Sequence, residues 1–474
     1  MPTPVYDRRI LAAAVLTALV ALVYWPVAGF EFLNWDDPWY VVDNPLVKSW
    51  APSNLVAIAT EPCSKNFAPI TIFTLLVEHT AFGLWAGGYH LVNVLIHAAN
   101  AVLVLLLVRQ VTRSSFAAWM TAVLFAVHPI QIETVAWISS LKSLLAATGM
   151  LVSLLYWLRP ERTGRDEALG LLWLVIALLA KASAVVVPAI VLAYDVIVQR
   201  KKFSDALARQ ILPGLFCLMA LFLNMHAQNQ IWGGSREHFD WGRIKILAVD
   251  SVIVWRYIRM LLAPYDLSVM YDVNGANPWP AAAIATLAWL LVTAFVWRVR
   301  RTQPLVAWAY ATWFLLLFPV LNLFPITTLM NDRYLYLPCI LVFAGASALA
   351  ESALKHVTKP RDCVVGSSRA GRIAILATVA SVVLAIMSYT AMSTKYVQAW
   401  RNPTTLWTHA LAHSPELPVV QIQWALTLHD RGETSQACEV LECVIAGPRA
   451  DRGDRLRIAR LLQEWRPQGE ASSI

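Results

Sequence analysis

A few acids and bases stand in this sequence where a charge is either costly or conspicuous. Asp36 and Asp37 sit side by side among Trp35, Trp39 and Tyr40 in FEFLNWDDPWYVVDNPLVKSW, directly after an apolar run from Ile10 to Gly29. Lys142 lies inside the apolar stretch WISSLKSLLAATGM, where an ammonium group calls for a phosphate or carboxylate partner. Lys181 follows LLWLVIALLA, His128 and Glu133 share FAVHPIQIETVAW, and Asp332 and Arg333 belong to NDRYLY. Gathered at one membrane face, such groups would form an interfacial active site rather than a path through the bilayer. Plainer readings stay open for each. Adjacent Asp residues also serve as a solvated loop or a helix N-cap, and the tryptophans as an interfacial belt. Lys142 fits a structural ion pair equally well, His128 with Glu133 would be a metal pair at most, and His90 and His97 read as helix-packing groups.

The elements that must position these residues are membrane helices. Of 474 residues 58% are hydrophobic and only 14% are charged, more apolar surface than a soluble domain can hide. Arg8 and Arg9 precede the first run, which reads as a retained helix rather than a cleaved signal. The formal charge of +8 does not point to nucleic acid, because Lys and Arg cluster at the ends of apolar runs.

Those runs predict an all-α polytopic protein of about eleven spans. The clusters Arg109 and Arg113, Arg159 to Arg165, Arg200 to Lys202, Arg298 to Arg301, and Lys355 through Lys359, Arg361, Arg369 and Arg372 test the count. All fall on one side if residues 227–280 stay outside without crossing. RIKILAVDSVIVWRYIRMLLAP then lies at the interface, since Arg243, Lys245, Asp250, Arg256 and Arg259 interrupt its apolar residues. The N-terminus is expected in the cytoplasm and the C-terminus outside. The external loop 31–89 then holds Asp36, Asp37, Asp43, Glu61, Lys65 and Glu78, on the same side as His128, Glu133, Lys142, Lys181, Asp332 and Arg333.

The order of motifs carries further information. NWDDPWYVVDNPLV, NFAPITIFT, YHLVNVLIHAANAVLVLLLV, FAVHPIQIETVAWISSLKSLLAA, LLAKASAVVVPAIVLAYD and NDRYLYLP follow one another. Together they resemble the membrane domain of the transmembrane and tetratricopeptide repeat-containing O-mannosyltransferases and their bacterial relatives, glycosyltransferases of the GT-C class. The resemblance runs from about Phe30 to Tyr336 and loosely to the C-terminus. It implies a GT-C domain over 1–395 and a helical domain over 396–474. In the latter a period of roughly 34 residues places Ala410, Pro415, Ala425, Gly432, Ala437 and Leu441 at repeat positions. One repeat and half of another cannot stand alone, so this segment is expected to lean on the membrane domain.

The resemblance implies transfer of a sugar from a polyprenyl phosphate to a Ser or Thr hydroxyl of a secreted or membrane protein. An acidic motif in the first external loop would take the hydroxyl proton, here Asp36 or Asp37, with Asp36 slightly favoured. In an extended loop the two would point apart, one acting as base and the other as orienter. Arg333, Lys181 and Lys142 are the implied cations for the leaving phosphate, Arg333 first because guanidinium grips phosphate with paired hydrogen bonds. Relatives often carry an acid after the residue corresponding to Lys142, where this chain has Ser143. Glu61, His128, Glu133 and Asp332 stand as candidate donor or acceptor contacts. No metal or other cofactor is expected. A glycolipid or polysaccharide acceptor, and a non-enzymatic transporter or scaffold, are the alternatives; a transporter would carry paired charges at the midplane, for which Asp195 is a poor match. The Ala- and Trp-rich composition and the brief repeat segment point to a bacterial plasma membrane.

Overall fold

Inside a bilayer no water bonds the backbone, so an apolar run satisfies its N–H and C=O groups by coiling into a helix. The computed structural model describes residues 5–64, 66–230, 241–273, 277–323, 328–358 and 369–465; Lys65, Lys359 and Arg361 lie outside them. Among the described residues every regular element is helical, and one isolated antiparallel bridge joins Cys63 to Asn66. In chain order the helices begin with α1 Val5–Tyr24, α2 Pro52–Thr60, α3 Pro69–Phe82, α4 Ala86–Thr112 and α5 Ser115–Val127. Next come α6 Ile132–Ala136, α7 Leu141–Trp157, α8 Gly164–Ala180, α9 Val187–Ala193, α10 Phe203–Arg209 and α11 Ile211–Gln230. The series continues with α12 Arg243–Leu262, α13 Trp279–Val299, α14 Pro304–Leu317, α15 Cys339–Thr358 and α16 Arg369–Tyr396. It closes with α17 Pro403–His413, α18 Pro418–Asp430, α19 Thr434–Ala446 and α20 Arg452–Trp465.

This is a multi-pass membrane protein. Among the described residues five stretches are long and apolar enough to cross: Ile10–Gly29, Ala86–Thr112, Ile138–Trp157, Trp279–Val299 and Leu376–Trp400. Two bent pairs, Ser115–Val127 with Pro129–Ala136 (55°) and Phe203–Arg209 with Ile211–Ala227 (51°), raise the number to seven if each is one span. The first bend has a local cause: His128 is extended (φ −72°, ψ 135°), as a residue before proline prefers. The expectation of about eleven also counted α15, which is 20 residues long but not among the five, and α8, Ala182–Val198 and Pro304–Val320, which are shorter than the roughly 20 residues a straight span needs. The charged helix α12 forms and is not among the five.

Helices α7 and α8 approach closely because small residues face the contact. A Cβ on Gly149 would lie 2.8 Å from the Ala177 Cβ, and one on Gly170 would strike the Trp157 ring at 2.2 Å. At the far end of this pair the basic clusters meet. Asp195 is fully buried between Arg162, which it contacts directly, and Lys201 Nζ at 3.1 Å; Arg209 reaches Glu167 at 3.1 Å and Arg200 the Arg301 carbonyl at 2.9 Å.

The C-terminal helices pack against the opposite end. Gly432 turns α18 into α19 at φ +84°, a left-handed conformation that favours glycine, and Ala425, Ala437 and Leu441 are fully buried in the cluster that α18 and α19 form. Trp400, Leu406, Trp407 and Ala410 belong to the main core. Polar bonds tie the same helices down: Glu31 N donates to Arg401 O at 2.9 Å, His409 Nε2 meets Leu267 O at 3.0 Å, and Arg449 pairs with both Asp272 oxygens at 2.7 and 2.8 Å. These contacts seat the C-terminal helices against the segments that precede them.

Candidate active site at one end of the helices

The acidic loop is not extended as the sequence suggested. After a turn at 34–36, where Asp36 O accepts from Trp39 N (3.0 Å) and Tyr40 N (3.1 Å), it enters a π-helical turn, Pro38–Val42, closed by Asp43 N donating to Pro38 O five residues back at 2.8 Å. The two carboxylates nevertheless face different partners. Asp37 is fully buried: Oδ2 accepts from Leu33 N at 2.9 Å, and Oδ1 accepts from Ser139 Oγ at 2.5 Å and Ser139 N at 3.2 Å. Burial, only partly offset by those bonds, pushes its pKa up to about 6. Asp36 keeps 22% of its side chain exposed and lies 3.7 Å from Lys142 Nζ.

Lys142 also donates to the Tyr40 hydroxyl at 3.1 Å and stands 4.3 Å from that ring's centre. It shares the Trp137 ring with Arg333, at 6.0 and 5.3 Å respectively. Arg333 comes from a 3-10 turn, Asp332–Leu335, before α15. Its guanidinium contacts the fully buried Glu133, whose other oxygen accepts Arg333 N at 2.8 Å. Lys181 caps α8 and donates to Ser143 Oγ at 3.0 Å. Removal from water, then the nearby Lys142 and Arg333 charges, draw the Lys181 pKa down to about 7.

The sequence-derived candidates therefore divide. Asp36, Lys142, Lys181, Arg333 and Glu133 come together. Asp332 is buried beneath them, Oδ1 bonded to the Tyr271 hydroxyl and Oδ2 to the Tyr396 hydroxyl at 3.1 Å; burial, then the Glu133 charge, push it well above the usual carboxylate range. His128 is fully buried, with Nε2 against Leu261 O (3.0 Å) and Nδ1 accepting Ile130 N (3.1 Å). Both ring nitrogens are thus engaged, and the suggested metal pair with Glu133 does not form. Glu61 lies exposed at the end of α2 and joins none of these contacts. Among the described residues no three His, Cys, Asp or Glu side chains gather as a metal ligand set would.

Sequence reasoning missed Ser139, Tyr271 and Tyr396. Ser139, three residues before Lys142, carried a signal in its position. The tyrosines carried none, being far in sequence from Asp332. It also missed an aromatic wall: Trp35 stacks on Trp137 with ring centres 4.4 Å apart, and Trp407 meets Trp35 edge-on at 5.7 Å.

No family model matches the chain. Human protein O-mannosyl-transferase TMTC1 is 24% identical over 499 residues, covering 90% of this chain and 54% of TMTC1. The chain is a distant relative of the TMTC protein O-mannosyl-transferases. Mouse TMTC4 is 23% identical over 80% of this chain and 58% of its own, and mouse TMTC2 is 30% identical over 36% and 21%. The chain thus spans about half the length of TMTC1 and TMTC4. Among solved structures, the Archaeoglobus fulgidus oligosaccharyltransferase in the apo form gives a TM-score of 0.47 at 12% identity over 82% of this chain and 56% of that one. ArnT from Cupriavidus metallidurans bound to undecaprenyl phosphate gives 0.36 at 12% identity over 97% and 85%.

Proposed function

We propose that this protein is a GT-C-type glycosyltransferase of the plasma membrane. It moves a sugar from a polyprenyl-phosphate donor to a Ser or Thr hydroxyl of a secreted or membrane protein on the outer side. The observation that carries the reading is the meeting of a partly exposed carboxylate, Asp36, with the cations Lys142, Lys181 and Arg333. Charge bookkeeping fits an anionic substrate. Among the cations Glu133 balances Arg333 and Asp36 balances Lys142, whereas Lys181 has a neutral hydroxyl partner.

In the reaction the acceptor oxygen attacks the anomeric carbon, its proton passes to Asp36, and the bond from sugar to phosphate oxygen breaks. The electron pair stays on the phosphate, whose growing charge the cations stabilise. Asp37, buried and bonded to Ser139, orients the loop. The donor cannot leave the bilayer, so the carboxylate must come to the membrane surface. Under this reading 1–395 is the transferase domain, with 31–89 and 227–280 outside, and α17 to α20 form a repeat-like domain on the same side.

The test supplies purified protein with a radiolabelled polyprenyl-phosphate sugar and either an unmodified secreted protein or a glycolipid. Label in protein, lost with Asp36→Asn, supports the proposal. Label only in lipid would move the acceptor class, and none in either would remove the enzyme reading.

A further inference from the structure

The C-terminal helices touch the acidic loop at the residues that fix Asp36, and this contact has a chemistry of its own. Trp407 of α17 is fully buried, and its indole N–H donates to Asn34 Oδ1 at 2.8 Å. The Asn34 amide in turn donates to Thr427 Oγ1 of α18 at 3.0 Å. A single loop side chain two residues before Asp36 thus bridges two helices almost 400 positions later in the chain. Next to it, Trp35 is held between Trp137 and Trp407, and Trp400 also approaches Trp137, at 6.4 Å. On its other side Asp36 is followed by Asp37, which Ser139 fixes. The backbone of Asp36 is therefore clamped from both sides, and one clamp is supplied by the C-terminal helices.

We propose that Asn34 is a positioning residue and that α17 and α18 work as a strut holding Asp36 in register with Lys142 and Arg333. This rests on Asp36 being the base. The strut explains why a buried indole N–H is satisfied by a loop amide rather than within its own helical layer: the bond couples the seating of the helices to the place of the carboxylate. Small displacements of a catalytic group are costly, about 10²-fold for a shift near 1 Å. Losing one of two clamps should cost less than that.

The experiment is a double-mutant cycle on the full chain in nanodiscs, with Asn34→Ala, Trp407→Phe and the combined variant, rates being expressed per donor-binding site. Trp407→Phe keeps an aromatic ring and deletes the N–H, so it remains informative should Asn34→Ala fold poorly. Each single variant is expected to lower kcat about tenfold with the donor KM unchanged, and the combined variant to be no worse than either single one. A merely structural role would lower the number of donor-binding sites and leave the rate per site intact. Parental kcat per site in both single variants, or fully additive losses, would overturn the strut while Asp36→Asn remains inactive. Parental turnover by Asp36→Asn would instead remove the base assignment, and the strut with it.

Discussion

Replacing Asp36 and Asp37 one at a time by Asn separates chemistry from architecture. Asp36→Asn removes a basic oxygen from the partly exposed member of the pair. General-base help is worth roughly 10² to 10⁴ in rate, or about 3 to 5 kcal/mol of barrier. At 3.7 Å, with 22% and 14% of the two side chains exposed, its contact with Lys142 is mostly buried but long, and the Asn oxygen and the Tyr40 hydroxyl still face the ammonium, so its loss costs less stability than the barrier gains. Turnover should therefore fall at least about 100-fold with little change in the thermal midpoint. Asp37→Asn should behave in the opposite way. The Asn amide can accept at one end only: with its oxygen toward Leu33 the Ser139 N–H meets the NH2, and with its oxygen toward Ser139 the Leu33 N–H does, so one backbone donor loses its partner. With the Asp37 pKa raised to about 6, the folded state holds that proton more tightly than the unfolded chain, whose ordinary value is about 3.9. The sign follows: stability linked to Asp37 is complete below about pH 3.9, is lost as pH rises toward 6, and then stays level, a swing of about 3 kcal/mol. Asp37→Asn should flatten this slope, lower stability by about 1 to 3 kcal/mol through the unpaired N–H, and reduce turnover less than about tenfold. Single-turnover transfer in nanodiscs and melting between pH 4 and 8 read both quantities. Parental turnover by Asp36→Asn, or an inactive Asp37→Asn beside an active Asp36→Asn, would refute this division of roles.

If Lys181 holds the donor phosphate as proposed, its pKa, drawn down to about 7, should make donor binding pH-dependent. Affinity for a polyprenyl-phosphate sugar, a diester whose single charge is constant over this range, read by a binding titration, should fall as pH rises from 6 to 8.5 and become flat in Lys181→Met; a flat parental profile contradicts the assignment. Asp195→Asn leaves the buried Arg162 and the partly exposed Lys201 without their shared carboxylate and should cost about 3 kcal/mol of stability, measured by unfolding, with the folded fraction keeping its turnover per donor site. A reporter that works only outside the cytoplasm should be active after Ile474 and silent after Arg361, and the reverse pattern would move the whole site to the other face.

The sequence by itself determined that the elements are helices and where the apolar ones lie. Apolar runs such as Ile10–Gly29 and Ala86–Thr112 become helices because hydropathy and backbone satisfaction act over contiguous residues. His128 before Pro129 set a bend, and charges inside α12 kept that helix out of the apolar class. The chemistry-bearing loops could be named, since a charge beside an apolar run stands out. Only the tertiary structure decided which charges answer which. Adjacent in sequence, Asp36 and Asp37 look equivalent. They differ because Ser139, from the approach to α7, buries one while Lys142 meets the other near solvent. Arg333 and Glu133 find each other across 200 positions, and Asp332 is claimed by tyrosines from two other segments. Trp407 reaches Asn34 from the far end of the chain. Helix periodicity is written locally, whereas ion pairs and hydrogen bonds across helices depend on how distant elements pack, and no short window of sequence contains both partners.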